Sequence, residues 1–383
     1  MVQQETTASA SRRLLDIGEA VDVRGRLART SIATRLAFSV LAVTVVSLLV
    51  TVAVGLDHSE ELTDGVVRAR FAAVRSSRAI GVETYVRGLE TDALQLASSP
   101  MAAEAATELG EAVTELTRLD GAVIDSLAVD LVDRYRDELL PRLEDVRGDV
   151  VPVGTVLPTG AAAIYLQSTY LAAAENAGIA VRLLGDARDG SRWSDVHADF
   201  HPRYRSIADR LGFDDLLLVD AETRVVLYSV EKRADVGTSL ELGPFSGSAL
   251  ATLVDDVVRR ADDGVTVRDL APHAPAGDEP RLLVAAPVLD AGRADAVVVV
   301  VVAPDELNRI VTGDGEWEEA ELGESGEVYL VGPDDRLRSD SRAFVEDRTG
   351  FRESVEAAGS VTADELRRID AAGTTASIQR VDG

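Results

Sequence analysis

Apolar and polar positions divide the chain into four stretches with different periods. Leu36 to Leu56 is a run of 21 residues without a charge, LAFSVLAVTVVSLLVTVAVGL. About 20 apolar residues span a bilayer core, so this run predicts a transmembrane helix. From residue 59 to about 148 the pattern is helical. Val66, Val67, Ala69, Phe71 and Val74 recur at three-to-four spacing, as one face of an amphipathic helix requires. Ser98-Ser99-Pro100 predicts a break, because the residue before a proline is pushed out of the helical region and proline suits a helix start. A second helical stretch runs from Met101 to Val146, with Pro141 as a kink or boundary.

Residues 150–160 (VVPVGTVLPTG) read as a linker. Gly160–Asn176 is helical again and carries Tyr165 and Tyr170. Gly185–Ser191 is a polar loop, and Trp193–Leu211 is a helix that stops at Gly212. The period then shortens. Asp215–Asp220 and Arg224–Val230 are short β-rich runs on either side of Ala221-Glu222-Thr223, which predicts an antiparallel hairpin. Ser246–Asp262 is helical. Val265–Leu270, Arg281–Leu289 and Ala294–Val302 are three further β-rich runs. The last contains six consecutive valines and suits a strand buried on both faces. Asp290-Ala291-Gly292-Arg293 is a turn between the final two, and Pro304 opens a short helix to Val311. The fold class is therefore α+β: long helices, then an antiparallel five-stranded sheet with helices on its faces. A second, incomplete unit of the same kind follows, with strands at Glu327–Gly332 and Arg336–Ser341, helices near Phe351–Ala358 and Thr362–Ala371, and a third strand over Thr375–Val381. The domain reading is 1–35 an N-terminal arm, 36–56 the membrane helix, 57–150 long helices, 151–311 a sensor domain and 312–383 the incomplete unit.

Charge gives the membrane run an orientation. Six arginines and four acids precede it, and Asp57, Glu60, Glu61 and Asp64 follow it. The positive-inside rule places the arm in the cytoplasm and the bulk of the chain outside. Two other readings compete. Ala53-Val54-Gly55 weakly resembles a signal-peptide cleavage site, although the apolar run is longer than a usual signal core. A buried core helix would not carry this flanking asymmetry. The formal net charge is −27, with 66 acids against 39 basic residues, of which only Lys232 is a lysine. Such a surface repels itself in dilute buffer and is screened at about 1 M salt, so the composition suits a high-salt setting; a GC-rich genome would also replace Lys by Arg. Nucleic-acid binding is disfavoured, because phosphate contacts need basic patches. The chain has no cysteine and four histidines, His58, His197, His201 and His273, without metal-ligand spacing. No phosphate loop, nucleophile elbow or metal cluster is readable, so neither an enzyme nor a cofactor is expected. Asp214, Asp215 and Asp220 match no calcium loop and read as solvated acids.

Several segments resemble Cache-type, extracellular PAS-like sensor domains. They are Asp214–Val230, the run Gly237-Thr238-Ser239-Leu240 with Gly243-Pro244-Phe245, Ala285–Asp290, and Leu322–Gly332 with Arg338-Ser339-Asp340-Ser341-Arg342. Together they cover roughly 193–383, and with the preceding helices they resemble a double-Cache architecture. The resemblance implies an extracytoplasmic sensing region of a membrane receptor: a chemoreceptor, a sensor histidine kinase or a cyclase-type receptor. Such a region would work as a homodimer and pass small-molecule binding inward by helix displacement. The second unit lacks closing strands and no second apolar 20-mer follows it, so a single-anchor extracellular binding or scaffold protein is the alternative.

A ligand would sit between the sheet and its covering helices. Trp193, His197, His201, Tyr204 and Arg205 share roughly one face of their helix. With Tyr228 on the second strand they are candidates to hold a small, carboxylate-bearing ligand through an arginine fork. The resemblance adds Asp290, at the turn where an aspartate meets a ligand ammonium in amino-acid-binding members. The same helix also satisfies a simpler arrangement, in which the aromatics pack as core and the histidines and arginine face solvent.

Overall fold

The computed structural model describes residues 32–260, 262–317, 322–323 and 326–381. The arm over 1–31 lies outside them, as do parts of the Leu322–Gly332 motif. The chain divides into two compact units, Met1–Ala73 and Val74–Gly383. The first helix, α1 (Ile32–Ala97), includes the uncharged run. The side chains of residues 32–35, of Phe38 and of residues 53–64 lie outside the described ones. Among the described residues no helix is long and apolar enough to cross a membrane.

In the second unit, α1 ends where Ser99 caps the next helix. The Ser99 side chain accepts from the Ala102 N–H at the start of α2 (Pro100–Leu116), which satisfies one of the otherwise unpaired donors of a helix start. The stretch expected to run to Val146 changes at Pro141, as expected, and also divides at Thr117–Asp120, giving three pieces. Asp120 caps α3 (Gly121–Arg134), a π-helical turn spans Tyr135–Leu139, and α4 (Leu140–Arg147) follows. Pro141 explains the π turn. A proline has no N–H and its ring crowds the carbonyl four residues back. The backbone widens just before it, and Leu140 donates to Tyr135 O instead.

Helices α5 (Ala161–Ala177) and α6 (Arg192–Leu211) lead into the sheet. Its strands are β1 (Asp215–Asp220), β2 (Val226–Ser229), β3 (Thr266–His273), β4 (Glu279–Asp290) and β5 (Arg293–Val302), with α7 (Ala249–Arg260) between β2 and β3. The order is β2-β1-β5-β4-β3, and every pairing is antiparallel. The five-stranded antiparallel sheet is the one expected. Ala291 and Gly292 both take positive φ, 47° and 82°, the conformation a two-residue hairpin turn needs.

The valine strand is covered on both faces. On one, Val298, Val300 and Val302 pack with Leu216, Leu218, Val284 and residues of α1, α2, α5 and α6. On the other, Val297, Val299 and Val301 pack with Leu217, Leu283 and the Leu250, Leu253, Val254 and Val257 side of α7. A third cluster joins Leu131, Tyr135, Leu139, Leu140 and Leu143 to Val151 and Val156 of the linker.

Gly237, within the segment that resembles the sensor family, holds this arrangement together. Its φ is +75°, and a Cβ there would lie 2.7 Å from Ala163 Cα at the start of α5. Backbone cannot yield as a flexible side chain can. Gly237→Ala is therefore expected to cost about 3 kcal/mol, from left-handed strain plus a forced shift of α5, and thermal unfolding of the full chain measures it.

The last segment departs from expectation. After α8 (Asp305–Thr312), the proposed strands at 327–332, 336–341 and 375–381 form only isolated bridges, Val331↔Leu337 and Arg336↔Arg380. The intervening VGPDDR is poor strand material, since Gly, Pro and Asp favour turns. Side chains do the holding. Asp340 accepts from Thr374 Oγ1 at 2.7 Å, Thr375 N at 2.6 Å and Asn308 Nδ2 at 2.8 Å. Buried Arg338 bridges Asp269 and Asp334, each at 2.8 Å. Helices α9 (Arg342–Glu346), α10 (Arg348–Ala358) and α11 (Ala363–Ala372) enclose a small core around Phe344, Phe351 and Ile369.

Candidate functional site

Helix α6 places four aromatic or imidazole rings along one buried face. Trp193 stacks on His197 at 4.6 Å between centroids, and His197 stacks on His201 at 4.5 Å. Tyr228 of β2 closes the ladder, 5.1 Å from Tyr204 and hydrogen-bonded to His201. Tyr170 of α5 meets Trp193 edge-on at 5.1 Å. All of these rings are buried.

The partners fix the tautomers. His197 Nδ1 lies 2.6 Å from Gly185 O. A carbonyl can only accept, so Nδ1 carries the proton. His197 Nε2 is then a buried lone pair without a partner. His201 Nε2 lies 2.8 Å from Arg182 O, so there the proton sits on Nε2. His201 Nδ1 then accepts from the Tyr228 hydroxyl at 2.8 Å. Burial, with Lys232 close by, drives the His201 pKa down to about 3 and holds that of His197 well below its ordinary value. Burial likewise holds Tyr228 protonated as the donor. The ladder is neutral and, His197 Nε2 aside, internally satisfied.

The residues expected to form a site are thus partly brought together. Trp193, His197, His201, Tyr204 and Tyr228 form one cluster, while Arg205 stays half-buried at its margin. Asp290 is exposed in the β4–β5 hairpin and pairs in register with Arg293. The strand order puts three strand spacings, roughly 14 Å, between β2 and β4, so Asp290 does not converge with Tyr228. The arrangement with histidines facing solvent is also overturned: both are in the core, each held by a carbonyl.

One open space lies on the other side of Lys232. A cavity of about 230 Å³ is lined by the π turn (Tyr135, Glu138, Leu139), by Arg134 and Arg142 beside it, by Gln167 and Leu171 of α5, by Val181, by Glu231 to Ala234 after β2, and by Pro275. Tyr135 donates to Gln167 Oε1 at 2.6 Å. Gln167 Nε2 then donates to the carbonyls of Ala234 and Val236 at 2.8 and 2.9 Å. The wall mixes apolar side chains with six charged ones and Gln167.

Lys232 joins cavity and ladder. Its Nζ is 3.3 Å from Val181 O, 3.3 Å from Val230 O and 3.4 Å from His201 Nε2, and it sits 5.8 Å from the centre of the Tyr170 ring. Burial outweighs the pull of Asp215 and Glu231 and brings its pKa down to about 7. Its backbone is left-handed, φ 52°, which is uncommon for a side chain of this size. Asp215 enforces that turn. The Asp215 carboxylate accepts from Ser229 Oγ at 2.8 Å and Glu231 N at 3.1 Å, and Ser229 Oγ accepts from Lys232 N at 2.7 Å. Asp215 is only 1% exposed, and burial lifts its pKa to about 6. Asp214 is half-buried between Arg233 and Arg281; the two guanidiniums outweigh the effect of burial and bring its pKa down to about 2. Asp220 accepts from Glu222 N and Thr223 N in the β1–β2 turn. None of the three is the freely solvated acid expected.

Deeper still, Asp235 is fully buried and neither carboxylate oxygen has a hydrogen-bond partner. The nearest cationic candidate, His273 Nε2, is 4.0 Å away. Burial and Asp215 lift the Asp235 pKa to about 7, while burial and Arg233 lower that of His273 to about 3. Lys232, Asp215, Asp235 and Gln167 were not among the expected site residues. The signal for Lys232 lay in the composition, one lysine among 39 basic residues. For Asp215 it lay in a carboxylate opening an otherwise apolar strand.

No protein-family model matches the chain, and neither does any curated protein. Among solved structures it is similar to the ligand-binding domain of the Pseudomonas fluorescens chemoreceptor CtaA in complex with L-serine. The match has 14% identity over 57% of this chain and 74% of that one, with a TM-score of 0.25. It is also similar to the sensory domain of the Campylobacter jejuni chemoreceptor Tlp3 with isoleucine bound, at 11% identity, 58% and 75% coverage and a TM-score of 0.25. An overlap that slight transfers neither fold nor ligand.

Proposed function

We propose that the chain is the extracytoplasmic sensing region of a membrane receptor, anchored through 36–56, whose ligand is a small molecule held in the cavity beside Lys232. The observation that carries this reading is the cavity itself. It lies between the π turn, α5 and the connections that follow β2 and β3, and it is bordered by a lysine in a left-handed conformation. π turns and strained backbone both concentrate at functional sites.

Signalling follows from connectivity. Lys232 touches the cavity and, through His201, the hydroxyl of Tyr228 on β2. A ligand that moves Lys232 therefore acts on both α6 and the sheet. Helix α1, which packs on the same sheet face through Leu89, Ala93 and Leu96, is also the described helix that contains the uncharged run. Displacement of α1 is the proposed route inward. It requires a ligand that binds the two states with different affinity.

A ligand screen read by thermal unfolding of the full chain in high salt tests the reading. A ligand present at 100 times its Kd stabilises by about 2.7 kcal/mol. Leu171→Trp, which fills cavity space from α5, is expected to abolish that rise while leaving the unliganded chain folded. A ligand whose effect survives Leu171→Trp binds elsewhere and removes the cavity from the proposal.

A further inference from the structure

Arginine stands at 38 of the 39 basic positions, yet the cavity wall carries the one lysine. Arginine would supply charge there equally well. What it cannot supply is a neutral amine, because a guanidinium does not deprotonate in proteins, whereas a buried lysine does so readily. The surroundings of Lys232 suit an amine better than a cation. It is 3% exposed, and its carbonyl contacts, both at 3.3 Å, are long for an ammonium. His201 Nε2, at 3.4 Å, carries its own proton toward Arg182 O and offers no lone pair. Val181, whose carbonyl Lys232 reaches, lines the same wall. The groups facing Lys232 are His201 and Arg205 from α6, Asp215 from β1, Glu231 beside it, Arg182 from the turn after α5 and the Tyr170 ring.

The cavity also restricts what can enter. Its arginines are already paired: Arg134 with Glu175 at 2.7 Å, Arg142 with Glu279 at 2.8 Å and Arg233 with Asp214 at 2.8 Å. No wall arginine is left for a carboxylate, and Glu138 would repel one. An uncharged ligand fits, against the sequence expectation of a carboxylate-bearing one.

We propose that Lys232 is a nucleophilic amine that captures small uncharged aldehydes or ketones entering this cavity, holding them as imines. The amine nitrogen attacks the carbonyl carbon and a proton passes from nitrogen to the former carbonyl oxygen. That oxygen then leaves as water with the second amine proton, and a C=N bond remains. The step needs no oxidant and reverses on hydrolysis, as a sensor requires. The proposal rests on the cavity being the ligand site and names the chemistry of its ligand.

The test uses the full chain in detergent and high salt, with propanal as probe and cyanoborohydride to fix any imine. Peptide mass mapping locates the adduct, and a chain with one lysine leaves only the α-amine as competitor. Folded Lys232 is expected to be alkylated at pH 7.5 at least about tenfold faster than in the urea-unfolded chain, because a pKa near 7 rather than 10.5 exposes far more free amine. Lys232→Arg removes the adduct, and Lys232→Met, which needs no buried charge, checks that the fold survives. A folded-state rate below the unfolded one overturns the imine proposal. If ligands then still raise Tm and Leu171→Trp abolishes the rise, the binding cavity stands without the imine. If neither adduct nor Tm shift appears, both fall. An adduct without any Tm shift keeps the amine chemistry and removes the sensing role.

Discussion

Asp235→Asn is expected to leave stability nearly unchanged relative to the parent chain at pH 4 and to leave the variant more stable by about 4 kcal/mol at pH 8, up to a constant offset. The sign follows from proton linkage. In the folded chain Asp235 is fully buried without a hydrogen-bond partner, and its pKa rises from 3.8 to about 7. Between those values the folded state binds the proton and the unfolded state does not. Stability therefore falls as pH rises through that window and is flat above it. A rise of about three pKa units corresponds to about 4 kcal/mol. Asparagine has no charge to lose, so its curve lacks this fall. The asparagine amide is itself buried, which adds an offset of about 1–3 kcal/mol. That offset does not vary with pH, so the widening of the gap is the diagnostic. His273, with a folded pKa of about 3, contributes the opposite slope in both chains and cancels in the difference. Thermal unfolding of the two full chains from pH 4 to pH 8 measures it, and a gap of constant size would show that Asp235 is not a buried carboxylate in the folded state.

The contrast between Asp235 and the elements around it shows which features local sequence specifies. The sheet was readable because each strand carries its own evidence: apolar period, flanking turn residues, and in β5 a valine run that only two covered faces explain. The Pro100 break, the Gly212 stop and the Asp290–Arg293 turn were readable because proline, glycine and the turn formers act locally. The change at Pro141 was readable on the same ground, whereas the break at Thr117–Asp120 was not. Thr117-Arg118-Leu119-Asp120-Gly121 carries a local signal, a capping aspartate followed by glycine, but it is brief and lies between two stretches of the same helical composition. The C-terminal strands failed for another reason. β-rich runs need a neighbour, and Asp340 and Arg338 tie those segments by side chains instead.

The site divided the same way. Ring residues at helical spacing on α6 were visible as one face. Their burial, and the two carbonyls that satisfy the histidines, depend on the turn at Val181–Leu183 and the loop at Gly185. Lys232 and Asp215 meet through a left-handed turn that no periodicity encodes. Asp290 was placed by resemblance alone, and the hairpin that makes it a good turn former carries it out to solvent.

Trp193→Ala is the second large effect, and it separates core from ligand surface. The indole is 1% exposed, stacks on His197, meets Tyr170 edge-on, and donates Nε1–H to Leu227 O at 3.1 Å. Truncating a buried tryptophan costs about 3–5 kcal/mol from lost burial and the cavity left behind. The Leu227 carbonyl also loses a buried donor, so a loss of about 4 kcal/mol or more is expected. Trp193→Phe keeps a ring against His197 and removes the donor, and about 1–3 kcal/mol is expected for that change. The ordering matters more than either value. If the ladder is structural, stability falls in the order parent, Phe, Ala, and any ligand found for the Lys232 cavity still stabilises the Phe variant. If Trp193 instead faces a ligand, both variants lose the ligand response while the unliganded chain changes by less than about 1 kcal/mol. The tautomers favour the first outcome. A ladder whose protons are committed to Gly185 O, Arg182 O and His201 Nδ1 has one lone pair left, on His197, and that atom is buried between two rings. Its part in sensing is to carry a change at Lys232 to Tyr228, which needs the ladder intact.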